Sequence, residues 1–394
     1  MGNEKINVAI FHNIIAPYRV PLFEKLSRHK NVELKIFFGN ITKKGRKWRV
    51  NTRELNFPHE ILWSIATLPR FFTINPALPI KLLSEDFDVY ISGGARAPAP
   101  YFLGALITFL VAKLHRKPFI LWFAETKYPK KLRKKFWKKI ISGILDKISL
   151  FFIKKSNAYI AYGEGAKKGL IGFGIREEKI FVAPNATPIK DFRQKYEAAD
   201  AKMLRDKLRI TKDAKVILSL SYLLKRKGIH YLIRAFGKLR SERGKIALVI
   251  AGSGPYLDEL KRLCGENNIS DVHFVGYIRH DLTPLYYKMA DIYVLPSLSD
   301  PWGLTINEAM ICEKPVVTTE NVGAKELIKD NGIVVPPGNE QELYEALKRL
   351  LENQEILKRM GEKSWKYIQA YSIENEAKGF INAIKYACAG RHLT

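Results

Sequence analysis

The sequence predicts two doubly wound α/β domains, and three observations carry that prediction. Short apolar runs rich in β-branched residues recur along the whole chain, segments with helical patterning separate them, and 394 residues exceed what one core usually holds. Near-continuous apolar strands that alternate with helices belong to parallel sheets covered on both faces.

In the first half the strand runs are "INVAIF" (6–11), "ELKIFF" (33–38), "DVYIS" (88–92), "PFILWF" (118–123), "AYIAY" (158–162) and "IFVA" (180–183). The longest apolar stretch, "YFLGALITFLVA" (101–112), falls short of the ~20 residues a spanning helix needs, so it reads as a core helix. The second half supplies "KVILSLS" (215–221), "IALVIA" (246–251), "VHFV" (272–275), "DIYVL" (291–295), "PVVT" (315–318) and "GIVV" (332–335). Between the halves the chain turns polar after Pro and turn residues. The expected division is therefore a first domain over 1–186, a linker over 187–198 and a second domain over 199–371. The tail, "SIENEAKGFINAIKYA" (372–387), has the pattern of an amphipathic helix with no strand after it, free to pack back on the first domain. Two such domains would set a ligand cleft at the carboxyl ends of their strands.

Composition narrows the function. A hydrophobic fraction of 47% and a charged fraction of 27% exclude a disordered chain. Cys264, Cys312 and Cys388 stand far apart without metal-ligand spacing, as reduced residues of a cytoplasmic protein do. The start, "MGNEKINVAIF", has too short an apolar run for a signal peptide. Lys and Arg number 66 against 39 Asp and Glu, a formal +27, and that excess calls for an anionic partner: phosphorylated substrate, membrane surface or nucleic acid. No nucleic-acid recognition motif or stacking platform is visible, which leaves the first two. The stretch 127–155 concentrates the charge, with eleven Lys or Arg and one acid, Asp146. Phe136 and Trp137 sit among its lysines, and Ile140, Ile144, Ile148 and Phe151 make an apolar helical stripe. Such a helix suits an anionic lipid surface, so a peripheral place on the cytoplasmic face of the membrane is expected.

The second domain carries the chemistry. In "LSYLLKRKGIHYLIRAF" (220–236) a strand runs through Lys225, Arg226, Lys227 and Gly228 into a helix, a turn that suits a phosphate group. Taken alone it is an ordinary strand-to-helix turn with solvated lysines. "VIAGSGPYLDEL" (249–260) sets Gly252 and Gly254 after the next strand, short of a full dinucleotide fingerprint. "VHFVGYI" (272–278) adds Gly276 and Tyr277 after a third. A fourth leads into "SLSDPWGLTINEAM" (297–310), where Asp300 and Glu308 stand eight positions apart around a helix start. In the first domain, "HNIIAPYRVPLFEKL" (12–26) places Tyr18 and Arg19 between Pro17 and Pro21, where Arg19 would face a ligand.

These segments, with "KPVVTTENVGAKELI" and "NGIVVPPGN", occur in the order found in the retaining glycosyltransferases of family 4, which the second domain resembles nearly end to end. The first domain resembles them more loosely, through "SNAYIAYGEGAKKGLIGFGIREEKIFVAPNA" (156–186) and its opening strand. The resemblance implies the GT-B fold, two Rossmann-like domains facing across a cleft. It implies transfer of a sugar from a UDP- or GDP-linked donor to a sugar or lipid-linked acceptor, with retained anomeric configuration and neither cofactor nor metal. Asp300 would hold the donor sugar and Glu308 the ribose. Leu304 and Thr305 would donate backbone N–H groups to the diphosphate, Gly303 would shape the turn, and Lys227 and Arg226 would neutralise the leaving group. Other GT-B chemistry, epimerisation of a nucleotide sugar or phosphorolysis, would need acid/base groups or a phosphate site that the sequence does not display.

The chain departs from the family pattern in three places. Asp300 stands where Glu is usual, and Ser221-Tyr222 where Gly-Arg is usual, so Arg226 is the candidate replacement for that arginine. The first domain has neither the Gly-Gly loop nor the histidine after "PFILWF"; Glu125 is the candidate there.

Overall fold

The computed structural model describes residues 5–41, 48, 50–66, 73–94, 101–124 and 136–389, with side chains from 143 onward in the last of these spans. Glu125, the basic residues 127–135 and the side chains of Phe136, Trp137 and Ile140 lie outside it. The chain divides into two units, Met1–Pro184 with Ile373–Thr394, and Asn185–Ser372.

The first unit is built on a sheet whose strands, in chain order, are β1 (Ile6–His12), β2 (Val32–Phe38) and β3 (His59–Ile61), then β6 (Val89–Gly93), β7 (Phe119–Phe123), β8 (Ala158–Ala161) and β9 (Ile180–Val182). A short antiparallel pair, β4 (Ile65–Ala66) and β5 (Thr73–Ile74), stands apart. The sheet is parallel, in the order β3-β2-β1-β6-β7-β8-β9. Both faces are apolar because alternate residues of each strand go to opposite sides. Ala9, Phe11, Tyr90, Phe119, Leu121 and Tyr159 face one core, which helices Ala77–Ser84, Phe102–Leu114 and Phe136–Lys155 cover. Val8, Ile10, Ile91, Ile120, Trp122 and Ile160 face the other, covered by helices Val20–Ser27 and Ile373–Ala389. The C-terminal helix thus completes the first unit, burying Ala377, Phe380, Ala383 and Ile384.

The second unit repeats the plan with β10 (Lys215–Leu220), β11 (Ile246–Ala251), β12 (Val272–Gly276), β13 (Ile292–Leu295), β14 (Val316–Thr319) and β15 (Gly332–Val335). The order is β12-β11-β10-β13-β14-β15, all parallel. The strand order reverses between β10 and β13, and in open α/β sheets the loops at that reversal hold ligands.

Every strand run named from the sequence is a strand, and the fold is the expected pair of Rossmann-like units. One segment differs. Residues 187–198, read as a linker from their polarity, hold the helix Ile189–Ala198 of the second unit. Phe192 and Tyr196, four apart, form its buried stripe, and Phe192 meets the Tyr287 ring edge-on with centroids 6.1 Å apart.

Candidate active site

The basic turn and the carboxylate segment meet at the strand reversal. After β10, Lys225–Lys227 form a single 3₁₀ turn closed by Gly228 in the left-handed region, φ 69°. A Cβ at Gly228 would stand 2.0 Å from the carbonyl oxygen of Pro296, so only glycine lets this turn lie against the segment after β13. The two segments are then tied: Leu298 N–H donates to the Arg226 carbonyl (2.8 Å), and Arg226 Nη1 donates to the Ser299 carbonyl (2.7 Å). Lys227 Nζ contacts Asp300 Oδ2 in an ion pair whose side chains are 12% and 11% exposed.

Asp300 is itself fixed by backbone. Its N–H donates to Asn321 O at 3.1 Å, its carbonyl accepts from Gly323 at 3.0 Å, and Trp302 N–H approaches its Oδ1 at 3.3 Å. Pro301 is exposed, whereas Trp302 is buried and its Nε1 donates to Asn307 Oδ1 at 3.0 Å. Asn307 Nδ2 in turn donates to Asn185 O at 3.0 Å. Gly303 takes φ 91° and hands the chain to Leu304, the residue that precedes helix Thr305–Ile311.

Glu308 lies inside that helix, 4% exposed. The Tyr287 hydroxyl donates to its Oε2 at 3.0 Å, and His280 Nδ1 lies 3.6 Å from Oε1. Burial raises its carboxyl above the ordinary glutamate range, against the opposing pull of His280 and the Tyr287 hydrogen bond. Tyr293 reaches Thr305 Oγ1 at 2.5 Å, so two tyrosines brace the first turn of the helix. A carboxylate so braced and buried is costly for stability alone, and such groups concentrate at functional sites.

The loops after β11 and β12 complete the rim. Gly252 has φ 142°, and a Cβ there would meet the Ser221 carbonyl at 1.8 Å. Gly252 N–H donates to Gly276 O at 2.7 Å, while Leu223 N–H donates to Ser253 O at 3.0 Å. The loops carrying Ser221, Gly252, Gly254 and Gly276 are thereby stitched side by side. Tyr277 follows, 36% exposed.

The sequence-derived residues of the second unit therefore fall on adjoining loops, with Lys227 and Asp300 in direct contact. The sequence did not single out Tyr287, Tyr293 or His280. They lie outside the glycine and charge motifs, and only "RHDLTPLYYKMADIY" (279–293), rich in ring side chains, hinted at them.

The first unit corrects one expectation. Arg19 does not face a ligand site at the end of β1: it is 2% exposed, and its Nη1 meets Glu376 Oε1 at 2.6 Å. Its guanidinium lies 4.4 Å from the Trp122 ring and 5.0 Å from that of Tyr162. Glu376 comes from the C-terminal helix, so the arginine clamps that helix onto the sheet. Tyr18 packs edge-on to Trp48 at 6.2 Å. His12, ending β1, donates from Nδ1 to Ile14 O (2.8 Å) and packs against Phe23, Phe38 and Trp122. Burial, then the Arg19 charge, hold its imidazole down at about 4. Among the described residues no cluster of three or more His, Cys, Asp or Glu is placed to hold a metal ion.

Residues 200–367 match the family model described as glycosyl transferases group 1, so the second unit carries a glycosyltransferase domain. An uncharacterized glycosyltransferase of Methanocaldococcus jannaschii is 34% identical over 219 residues, 55% of this chain and 56% of the relative. The alpha-monoglucosyldiacylglycerol synthase of Streptococcus pneumoniae is 33% identical over 180 residues, 45% of this chain and 41% of the relative. The chain thus spans about half the length of these curated relatives. Among solved structures, HepE of Anabaena in complex with UDP superposes with a TM-score of 0.76 at 18% identity, covering 97% of this chain and 99% of that one. That likeness shows a GT-B fold.

Proposed function

We propose that the chain is a glycosyltransferase that moves a sugar from a nucleotide diphosphate sugar to an acceptor hydroxyl with retained anomeric configuration. The observation that carries this reading is the contact of Lys227 with Asp300 at the strand reversal, with Glu308 buried in the helix that follows. One loop pair then offers a cation for a diphosphate and a carboxylate for sugar hydroxyls, and Glu308 offers a second carboxylate for the ribose.

In this reading the donor diphosphate competes with Asp300 for Lys227, aided by Arg226 and by the backbone N–H groups of Leu304 and Thr305. Asp300, relieved of Lys227, accepts hydroxyls of the transferred sugar. The acceptor hydroxyl attacks the anomeric carbon from the face of the departing diphosphate. Its proton passes to a phosphate oxygen as the sugar–phosphate bond breaks. The protein needs no nucleophile for this route; it supplies position and charge stabilisation.

A UDP-linked donor is favoured over a GDP-linked one by the fold neighbour crystallised with UDP. A lipid-linked or glycan acceptor is favoured by the relative named for a diacylglycerol glycolipid. With the charge of 127–155, they support a peripheral position on the cytoplasmic membrane face. The test is Lys227→Ala, assayed for nucleoside diphosphate release with acceptor present. Losing one group that stabilises the leaving charge costs ~2.7–4 kcal/mol, a fall of about 10²–10³-fold in kcat/KM. An unchanged rate in a folded variant would remove Lys227 from the site.

A further inference from the structure

Large apolar side chains are exposed very unevenly in this protein. Among the described residues of 185–372 the exposed ones are Met203, Tyr277 and Leu282. In the first unit Ile41, Trp63, Ile65 and Ile171 are exposed elsewhere, while the others, Leu150 (37%) among them, lie on three helices that cover the same face of the sheet. Helix Ala77–Ser84 exposes Ile80 (67%) and Leu83 (47%), helix Phe102–Leu114 exposes Leu110 (54%) and Leu114 (70%), and helix Phe136–Lys155 exposes Ile144 and Phe151 (56% each). Ile80 and Leu83, Leu110 and Leu114, and Ile144 and Phe151 are spaced three, four and seven apart, so each helix presents an apolar stripe outward as well as one inward, which Leu150 widens on the third. The inward stripes are Leu78 and Leu82, Phe102 and Phe109, and Phe152 and Ile153. Neighbouring helices are in direct contact, with Phe109 rings 5.1 Å from Phe152 and 6.5 Å from Phe151. The outward stripes therefore lie side by side, and a contiguous exposed apolar face of this kind marks an interaction surface.

Its charge identifies the partner. Residues 101–117 contain Lys113, Arg116 and Lys117 and no Asp or Glu, with Lys117 paired to Asp86 and Asp88, and the described side chains of helix Phe136–Lys155 include Lys147, Lys154 and Lys155 against Asp146. Burial first, and then the charges of Lys155 and Lys179, disfavour the Lys113 ammonium. Three ammonium groups beside an apolar face repel one another unless an anion joins them. A second copy pressed face to face would bring two such groups together, on chains that each carry +27. An anionic bilayer satisfies both halves of the surface: headgroups take the lysines, and the acyl boundary takes Ile, Leu and Phe. No described helix is long and apolar enough to cross a membrane, so the attachment is at the interface.

We infer that the outer face of helices Ala77–Ser84, Phe102–Leu114 and Phe136–Lys155 is a docking surface for an anionic lipid bilayer, with Leu110, Leu114, Ile144 and Phe151 entering the acyl boundary. The inference deepens the membrane part of the proposed function and rests on it. It differs from attachment by the basic stretch alone in one measurable respect: part of the binding is apolar and survives salt.

The experiment is co-sedimentation of the full chain with vesicles of phosphatidylcholine and phosphatidylglycerol, at low and high salt, with UDP affinity measured on each protein by calorimetry. Wild-type binding is expected to weaken in high salt yet persist. Leu110→Ser with Leu114→Ser and Phe151→Ser should lose the salt-resistant part, at least tenfold, and the single change Leu114→Ser should lose a smaller share in the same direction. Lys113→Glu with Lys155→Glu should weaken binding to anionic vesicles at least tenfold, while binding to neutral vesicles stays constant. All variants should hold UDP as the wild type does, so loss of UDP binding by the wild type itself would count against the donor site and not against this surface. Serine variants that bind vesicles like the wild type would overturn the inference. So would a wild type that dimerises in sedimentation through these residues, making a second copy the occupant.

Discussion

The two units share one strand plan, yet they use the reversal of strand order differently. In the second unit the loops after β10 and β13 meet through Lys227 and Asp300, both at the edge of solvent, 12% and 11% exposed. In the first unit, the charge that follows β1 is Arg19, which is buried and spent on Glu376. The former pair is part-buried and borders solvent, so an incoming anion can replace the carboxylate beside Lys227 at a smaller cost than full burial would set. The latter carries that full cost: its ions are 3% and 1% exposed, and parting them would leave a charge in a low-dielectric interior. In the proposed reading the same ion-pair chemistry is a ligand site in one unit and a clamp in the other, and the depth of burial separates the two.

The largest effect should come from breaking the clamp. Arg19→Met keeps the length of the side chain and leaves Glu376 buried without its cation, a loss of ~3–5 kcal/mol of stability. Adding Glu376→Gln should restore much of it, since the stranded charge is then gone. Chemical denaturation of the single and double variants reads this directly. The double variant also sharpens the comparison: recovered stability with unchanged turnover confines Arg19 to the clamp, whereas recovered stability with lost turnover would give it a second role.

Arg19 also shows where sequence reading stops. Its partner is 357 positions away, on a helix that the sequence allowed to pack back on the first domain without a register for doing so. The strands were legible because apolar β-branched runs are a local signal. Lys227, Asp300 and Glu308 became candidates only through the ordered motif set that resembles family 4, since each loop alone reads as an ordinary turn or helix start. The helix at 189–198 was hidden by its polar residues, since two rings four apart are a weak stripe. The apolar stretch at 101–112 was rightly a core helix, but a run hydrophobic all round does not say which residues stay outside, and Leu110 stays outside.

The next effect is acid sensitivity of the first unit. His12 has its folded value lowered to about 4 by burial and then by Arg19. A depressed histidine contributes stability that is whole above its unfolded value near 6.5 and lost as pH falls towards the folded one. Between about pH 6.5 and 4 the loss should reach about 2–3 kcal/mol, at 1.36 kcal/mol per unit of pH shift, the ring edge being partly solvated. His12→Gln should flatten that part of the stability profile. Arg19→Met should flatten it only in part, because burial is the larger cause. A wild-type profile level over this window would show that His12 is not the group that titrates.

The smallest effect separates the two carboxylates of the second unit. If Glu308 holds the ribose, Glu308→Ala should weaken a free nucleotide and its sugar-bearing form alike, because ribose occurs in both. Asp300→Ala should weaken only the sugar-bearing donor. Each loss is that of a hydrogen bond to a charged group, about 1.5–3 kcal/mol, or roughly 10–150-fold in Kd. Calorimetry with both ligands makes the comparison, and equal losses for free nucleotide in the two variants would overturn the assignment. The pH dependence supplies an independent sign. Burial raises the folded carboxyl of Glu308, so its protonation favours the fold: that contribution is whole below the unfolded value and lost as pH rises through the folded one. Ribose binding needs the opposite state, the carboxylate that accepts hydroxyl protons. Nucleotide affinity should therefore fall on acidification at a higher pH than an ordinary glutamate would set, and Glu308→Gln should lack that fall. An acidic limb that survives in Glu308→Gln would overturn the assignment of that titration to Glu308.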